Sequence, residues 1–348
     1  MTDTPKLSVL DLVPVRSGQT SGQAIEASLA LAKVADEAGF TRYWVAEHHN
    51  IEAVASTSPA IMIALLASAT KRIRVGSGGV MLPNHAPLVI AEQFAFLEAA
   101  FPGRIDLGIG RAPGTDPVTQ WALRSGGAVG PEGDPVARFP EFVQQVVAFM
   151  CPDGAGIQIG GRPFHVSATP NAVSESPVWL LGSSDYSARL AARFGLPYVF
   201  AHHFSGVGTA EALALYRENY AGEEEPRSLL TVNAVVGDTK EEALLYARAQ
   251  QHNIAAIRTG APRLPIFTLE ESMLATPRVP DDQFDELMGS WHVGTAEEVA
   301  ESITALAQQF EVDEVMIQPV GSAKESDPYE RVPNRERTVR DLGRLLLG

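Results

Sequence analysis

Three short stretches of this chain combine residue types that could bind or move charge. In RIDLGIGRAPGT, Arg104 to Thr115, Ile105, Leu107 and Ile109 alternate with Asp106, Gly108 and Gly110, the period of a short strand. The run then enters Arg111, Ala112, Pro113 and Gly114, which suit neither strand nor helix. Glycines at 108 and 110 let another group approach the backbone closely. Arg111 sets a permanent, forked cation at the strand's carboxyl end, a shape matched to phosphate, although an arginine there could equally pair with a carboxylate.

The second stretch is Gly182-Ser183-Ser184-Asp185-Tyr186-Ser187, which opens directly into a helical pattern. Free backbone N–H groups, the helix dipole and three hydroxyls together suit an anion. Ordinary N-capping by Ser184 or Asp185 is the plainer explanation. Taken with Arg111 on the neighbouring strand, the pair favours phosphate.

The third group is histidine-rich: Glu47-His48-His49 and His202-His203 each follow an apolar run. Strand-end histidines raise the possibility of a divalent-metal hydrolase. Adjacent strand residues face opposite sides, so each histidine pair offers one inward ligand, and Glu47 faces away if His48 faces in. That donor set is thin for a metal and reads better as a histidine that hydrogen-bonds or moves a proton near neutral pH. His203 and His85 could simply be core residues. Gly78-Gly79 closes another apolar run and would allow a flat ring to lie against backbone, or a conformation closed to other residues.

These stretches need elements to hold them. Leu7 to Val13 reads as a first strand, and Gln23 to Ala38 as a helix stopped by Gly39. Tyr43 to Ala46, Ile73 to Val80 and Arg104 to Gly110 follow as strands, with helices from Ser58-Pro59 and from Leu88 between them. Asp116 to Pro170 breaks the rhythm, with one clear helix from Pro135 to Met150. Strands resume at Val178, Tyr198 and Leu229, alternating with helices at Tyr186, Ala210 and Glu241 to Ile257. A second irregular stretch, Gly260 to Gly289, precedes a capping box at Thr295 and Glu298 and an eighth strand, Val315 to Pro319. Eight strands alternating with eight helices imply an α/β fold, a (β/α)8 TIM barrel, with insertions after strand four (116–170) and before strand eight (260–289). The whole of 1–348 is expected to form one domain. The chemistry-bearing groups all follow strands, where such barrels carry function.

The whole-chain properties narrow the field further. A net charge of −15 over 348 residues argues against a nucleic-acid or anionic-membrane surface. Arg331, Arg335, Arg337, Arg340 and Arg344 form a C-terminal basic run that fits the solvated face of a last helix. Cys151 is the single cysteine, so no internal disulfide is available, and the N-terminus lacks a basic-then-apolar leader. A cytoplasmic protein is expected.

Several segments, in order and at matching spacing, resemble the bacterial-luciferase-like flavin monooxygenases. They are AEHHN at Ala46 to Asn50, IRVGSGGVMLPNHAPL at Ile73 to Leu88, RIDLGIGRAPGTDP at Arg104 to Pro117, LLGSSDYSARLAARFGLPYVFAHHF at Leu180 to Phe204 and GTAEEVAESI from Gly294. The resemblance implies a barrel that binds reduced FMN at its carboxyl end. Arg111 with Gly182, Ser183, Ser184, Tyr186 and Ser187 would hold the phosphate, and Gly78-Gly79 would match an often cis peptide beneath the flavin ring. His48 aligns with a histidine that assists oxygenation, making it the expected catalytic residue; no metal is implied. The two irregular stretches would form a substrate wall and a mobile lid at 260–289.

Light-emitting members carry a reactive cysteine where this chain has Gly110, so the resemblance implies an oxidoreductase that does not emit light. Its partners would be O2, a small organic substrate and a separate flavin reductase that supplies reduced FMN. GxG at Gly108 to Gly110 lacks the third glycine of a nicotinamide fingerprint. Related proteins use the deazaflavin F420, whose acidic tail wants extra basic residues at the barrel mouth; few are visible here, so FMN is preferred. The family also implies a homodimer, with the apolar helix Ala60 to Ala69 as a candidate surface.

Overall fold

In a computed structural model the chain forms a closed ring of eight parallel strands. The structure describes residues 4–112, 114–124, 134–259, 263–276, 284, 286 and 288–348, with backbone alone at 257–259. Parts of the expected insertion and of the expected lid, and Pro113, therefore lie outside the described residues.

The barrel strands are β1 (Lys6–Asp11), β2 (Arg42–Val45), β3 (Arg74–Ser77), β4 (Ile105–Gly110), β5 (Val178–Gly182), β6 (Tyr198–Phe200), β7 (Ser228–Val236) and β8 (Glu314–Pro319). Each pairs in parallel with the next, and Leu7 of β1 lies opposite Val315 of β8 to close the ring. Helices α1 (Ser21–Glu37), α2 (Pro59–Ala69), α3 (Pro87–Ala100), α4 (Phe139–Met150), α5 (Asp185–Phe194), α6 (Thr209–Glu218), α7 (Ala296–Phe310) and α8 (Pro333–Leu346) surround it. The expected Thr295/Glu298 capping box is present at the start of α7.

Alternation along the strands splits the core into two shells. Outward residues such as Leu7, Val9, Tyr43, Val45 and Ile317 pack against the helices. Inward residues stack in layers across the ring, as barrel interiors do. The middle layer is apolar: Leu10, Trp44, Trp179, Val199, Leu229 and Met316. Beneath it, at the amino ends of the strands, lies a charged floor. There Arg42 donates to Glu314 at 2.6 and 3.0 Å and to Asp106 at 2.9 Å. Arg74, Trp44 and Ser8 donate to the same two carboxylates.

Three local differences from the sequence expectation have visible causes. The strand expected from Ile73 to Val80 is interrupted: β3 stops at Ser77, the Gly78–Gly79 peptide is cis, and Val80–Met81 then pairs separately with Ile109 and Gly110 of β4. The helix expected from Glu241 to Ile257 divides into Lys240–Arg248 and Gln251–Thr259. Between them Gln250 turns inward and its amide donates to the Val320 carbonyl at 3.1 Å. Within the insertion, Ala155–Ile159 and Arg162–Val166 form an antiparallel hairpin around Gly160-Gly161. Ile157 and Ile159, followed by a Gly-Gly pair, are the local signal for this hairpin.

Candidate active site

A cavity of about 910 Å³ opens at the carboxyl ends of the barrel strands. His48, Gly78, Gly79, Arg111, Gly182, Ser183, Ser184, Tyr186 and Ser187 all line it. Segments up to 139 residues apart in the chain, from His48 to Ser187, thus converge because each follows a strand of one closed ring.

Arg111 leaves β4 and lies over the ring of Tyr186 at 4.1 Å, a stacked cation–π contact. Among the described residues no carboxylate pairs with it. Pairing with a carboxylate, the other arrangement open to a strand-end arginine, is therefore not seen among the described residues. Gly108 and Gly110 also separate by role. A Cβ on Gly108 would sit 2.0 Å from the Ser77 carbonyl oxygen, whereas one on Gly110 would meet nothing nearer than 3.9 Å and would project beside the cavity.

Ser184 is the N-cap of α5, yet its side chain makes no capping hydrogen bond. Among the described residues the hydroxyls of Ser183 and Ser184 have no hydrogen-bond partner, and no side-chain cap meets the first N–H groups of the helix. Ser187 differs from the expectation: its hydroxyl donates to the Ser184 carbonyl at 2.8 Å and lies 3.2 Å from the Tyr198 hydroxyl. It braces the turn instead of offering a free donor. Gly182 is required there, since a Cβ would come within 2.1 Å of the Ser187 oxygen.

His48 and Glu47 point in opposite directions, as alternation predicts. Glu47 is fully buried and accepts from His49 Nε2 at 2.7 Å, His85 Nε2 at 2.8 Å and the Met81 N–H at 2.9 Å. Burial alone would raise its carboxyl, but these bonds hold it down at about 2. His49 and His85 therefore tie their loops to Glu47 and do not line the cavity. His48 faces in, with a buried Nδ1 that has no partner. Burial, and then the nearby Arg263 cation, push it down to about 4, so it is neutral at neutral pH. His203 also lines the cavity, its Nδ1 2.5 Å from Thr231 Oγ1, and burial holds it at about 4. His202 turns away to Thr209 at 2.8 Å. Among the described residues, no group of three or more His, Cys, Asp or Glu side chains is placed to hold a metal ion.

Sequence reasoning missed much of the cavity's charge. Arg16, Arg263 and Arg335 line it along with Arg111, and among the described residues no Asp or Glu does. This corrects the expectation of few basic residues at the mouth. Arg335 also corrects the reading of the C-terminal basic run as a solvated face. It is 4% exposed, donates to Asp11 at 2.6 Å and to the Pro319 carbonyl at 2.8 Å, and so ties α8 to β1.

A profile of the luciferase-like monooxygenases matches residues 6–314. The chain belongs to the luciferase-like monooxygenase family. A luciferase-like monooxygenase of Escherichia coli strain K12 is 38% identical over 326 residues, covering 91% of this chain and 92% of that protein. The N-acetyl-S-alkylcysteine monooxygenase of Bacillus subtilis strain 168 is 31% identical over 325 residues, covering 92% of this chain and 94% of that one. Among solved structures, apo-MsnO8 superposes with a TM-score of 0.83 at 30% identity, covering 98% of this chain and 99% of its own. Within this family of oxidoreductases, the cavity is the place where the chain's chemistry-bearing groups meet. Among the described residues no helix is long and apolar enough to cross a membrane.

Proposed function

We propose that this chain is a flavin-dependent monooxygenase that uses reduced FMN and O2 to oxygenate a small organic substrate. The observation that carries the reading is the anion cradle at one end of the cavity. It combines an arginine without a carboxylate partner, two free serine hydroxyls and a helix start left open by its own N-cap. These groups fit a phosphate monoester. Arg111, Ser183, Ser184 and the first turn of α5 hold it, while Tyr186 keeps the guanidinium flat and Ser187 keeps the turn in shape. Gly78-Gly79 and Gly110 leave a side-chain-free wall for the ring system.

Reduced FMN, when bound, supplies the two electrons with which O2 gives one oxygen atom to substrate and the other to water. The protein's own groups orient the reactants and manage protons. Neutral His48 lines the cavity, where its imidazole can accept or return a proton. His203 is held in one orientation by Thr231. Leu10, Leu12, Val54, Leu181 and Ile266 exclude water from the space between.

The reduced cofactor comes from a separate reductase, since the chain carries no nicotinamide fingerprint. The protein acts in the cytoplasm as a homodimer. Its expected surface on α2 exposes Ile61 and Leu65, and α3 beside it exposes Val89 and Phe96; sedimentation at increasing concentration tests this. Because Gly110 stands where light-emitting relatives have cysteine and Cys151 lies exposed outside the cavity, no luminescence is expected.

The basic lining favours one second reading, hydride transfer with F420, whose acidic tail would use the additional arginines. Parallel titrations with FMN and F420, followed by absorbance, separate the two. Saturable FMN binding, with oxygen incorporation into an added organic substrate when a flavin reductase supplies reduced FMN, supports the monooxygenase. Selective F420 binding overturns it.

A further inference from the structure

The four arginines of the cavity have different degrees of freedom. Arg335 is spent on Asp11 and Pro319. Arg16 donates to the Lys324 and Asp327 carbonyls and stacks on Tyr329 at 4.7 Å. Arg111 lies on Tyr186 at the phosphate end. Arg263, in contrast, is half-buried and has no hydrogen bond, ion pair or ring contact among the described residues. Losing water without gaining a counter-charge is costly for a guanidinium, and an anion arriving there would offset that cost.

The segment that follows Arg263 is tied to the barrel. Three residues on, Ile266 donates to the Val15 carbonyl and accepts from the Ser17 N–H, both at 2.8 Å, so its segment is stitched to the loop after β1. The charge is close enough to be felt at His48. The cavity it lines also carries the neutral amides of Gln250 and Asn253 and the apolar Ile254, Ile266 and Trp291.

We propose that Arg263 receives the carboxylate of the substrate, so that an organic acid with an apolar body lies between this anchor and His48. A single cation with no helix start or hydroxyl cluster at its own position matches a single negative charge; a phosphate dianion is better served by the cradle at Arg111. The assignment rests on the flavin reading in one respect: Arg111 is reserved for the cofactor and Arg263 for the substrate. The chain's net charge of −15 makes a cavity lined by arginines without carboxylates the more pointed, because the surface as a whole repels anions and this pocket attracts them.

The test is calorimetric binding of matched acids and amides: octanoate with octanamide, 3-phenylpropanoate with its amide, and N-acetyl-S-butylcysteine with its methylamide. Each pair is measured on FMN-loaded and FMN-free protein, and phenyl phosphate is included as a competing anion. At least one acid is expected to bind about tenfold or more tightly than its amide, the effect of one charge-assisted contact. Arg263→Gln should bring that pair within about twofold, and Arg263→Lys should retain part of the preference. Thermal melting confirms that both variants fold, and their FMN affinity should be unchanged. The proposal is overturned if no acid is preferred, if the preference survives Arg263→Gln, if phenyl phosphate outcompetes every acid at this site, or if Arg263→Gln costs FMN affinity as Arg111→Ala does. An Arg263-dependent acid preference in a protein that never binds FMN would instead leave the anchor standing and remove the flavin reading.

Discussion

The floor and the mouth of this barrel contain the same kinds of side chain put to opposite uses. At the floor, Arg42 and Arg74 face Asp106 and Glu314, and every guanidinium edge that reaches inward meets a carboxylate or carbonyl oxygen. At the mouth, Arg111 and Arg263 face no carboxylate among the described residues, Ser184 caps nothing, and His48 keeps a buried nitrogen without a partner. The apolar layer of Leu10, Trp44, Trp179 and Met316 separates the two. A satisfied charge network closes the ring and holds it. Polar groups left unsatisfied at the opposite end of the ring are free to bind something else.

The comparison can be broken most forcefully at the floor. Arg42→Ala leaves Glu314 without its arginine partner and Asp106 with one of its two, in a nearly dry site, and should lower unfolding free energy by about 3–5 kcal/mol in urea titrations. FMN affinity of the remaining folded protein should not change. If the loss is below about 1 kcal/mol, the floor is ordinary surface-like pairing and the contrast fails.

At the mouth the pattern should invert. His48→Ala should lower turnover on the order of a hundredfold while sparing FMN affinity and stability, as expected for a proton-handling group. Equal loss of binding and turnover would make it a structural residue. Arg111→Ala should weaken FMN binding by about 1.5–3 kcal/mol and shift the melting curve little, because it breaks no ion pair. Unchanged affinity would remove the phosphate assignment.

The smallest effect is a pH slope. His48 and His203 are held neutral at about 4 in the folded chain, whereas each takes up a proton below about 6.5 when unfolded. The unfolded state therefore binds more protons in this window, and stability should fall as pH drops from about 6.5 to about 4. Each group contributes at most about 1.4 kcal/mol per pH unit. His203→Gln should flatten the slope in denaturation series run at stepped pH; an unaltered slope would place its origin elsewhere.

How much of this was legible in the sequence depended on how local the signal was. The barrel could be read because strand and helix patterns alternate along the chain, and eight strands in parallel have one common way to close. Arg111 and Ser183-Ser184 could be read because each sits at a strand end or helix start whose geometry its neighbours dictate. Arg335 could not: spaced among Arg331, Arg337, Arg340 and Arg344 it looks like helix surface, and only the return of α8 beneath β1 brings it to Asp11. Arg263 lies in a stretch without periodicity, and its position depends on a backbone bridge to the loop after β1. The break before Gln251 was hidden because helical spacing continues through it, while the cause, the bond from Gln250 to Val320, spans 70 residues.

The most direct measurement is a crystal structure of the protein soaked with FMN. The account predicts the phosphate against the Arg111 guanidinium, the Ser183 and Ser184 hydroxyls and the first N–H groups of α5, with the ring against Gly78-Gly79 and facing His48. A phosphate bound elsewhere, with Arg111 and Ser184 contacting only solvent, would contradict it.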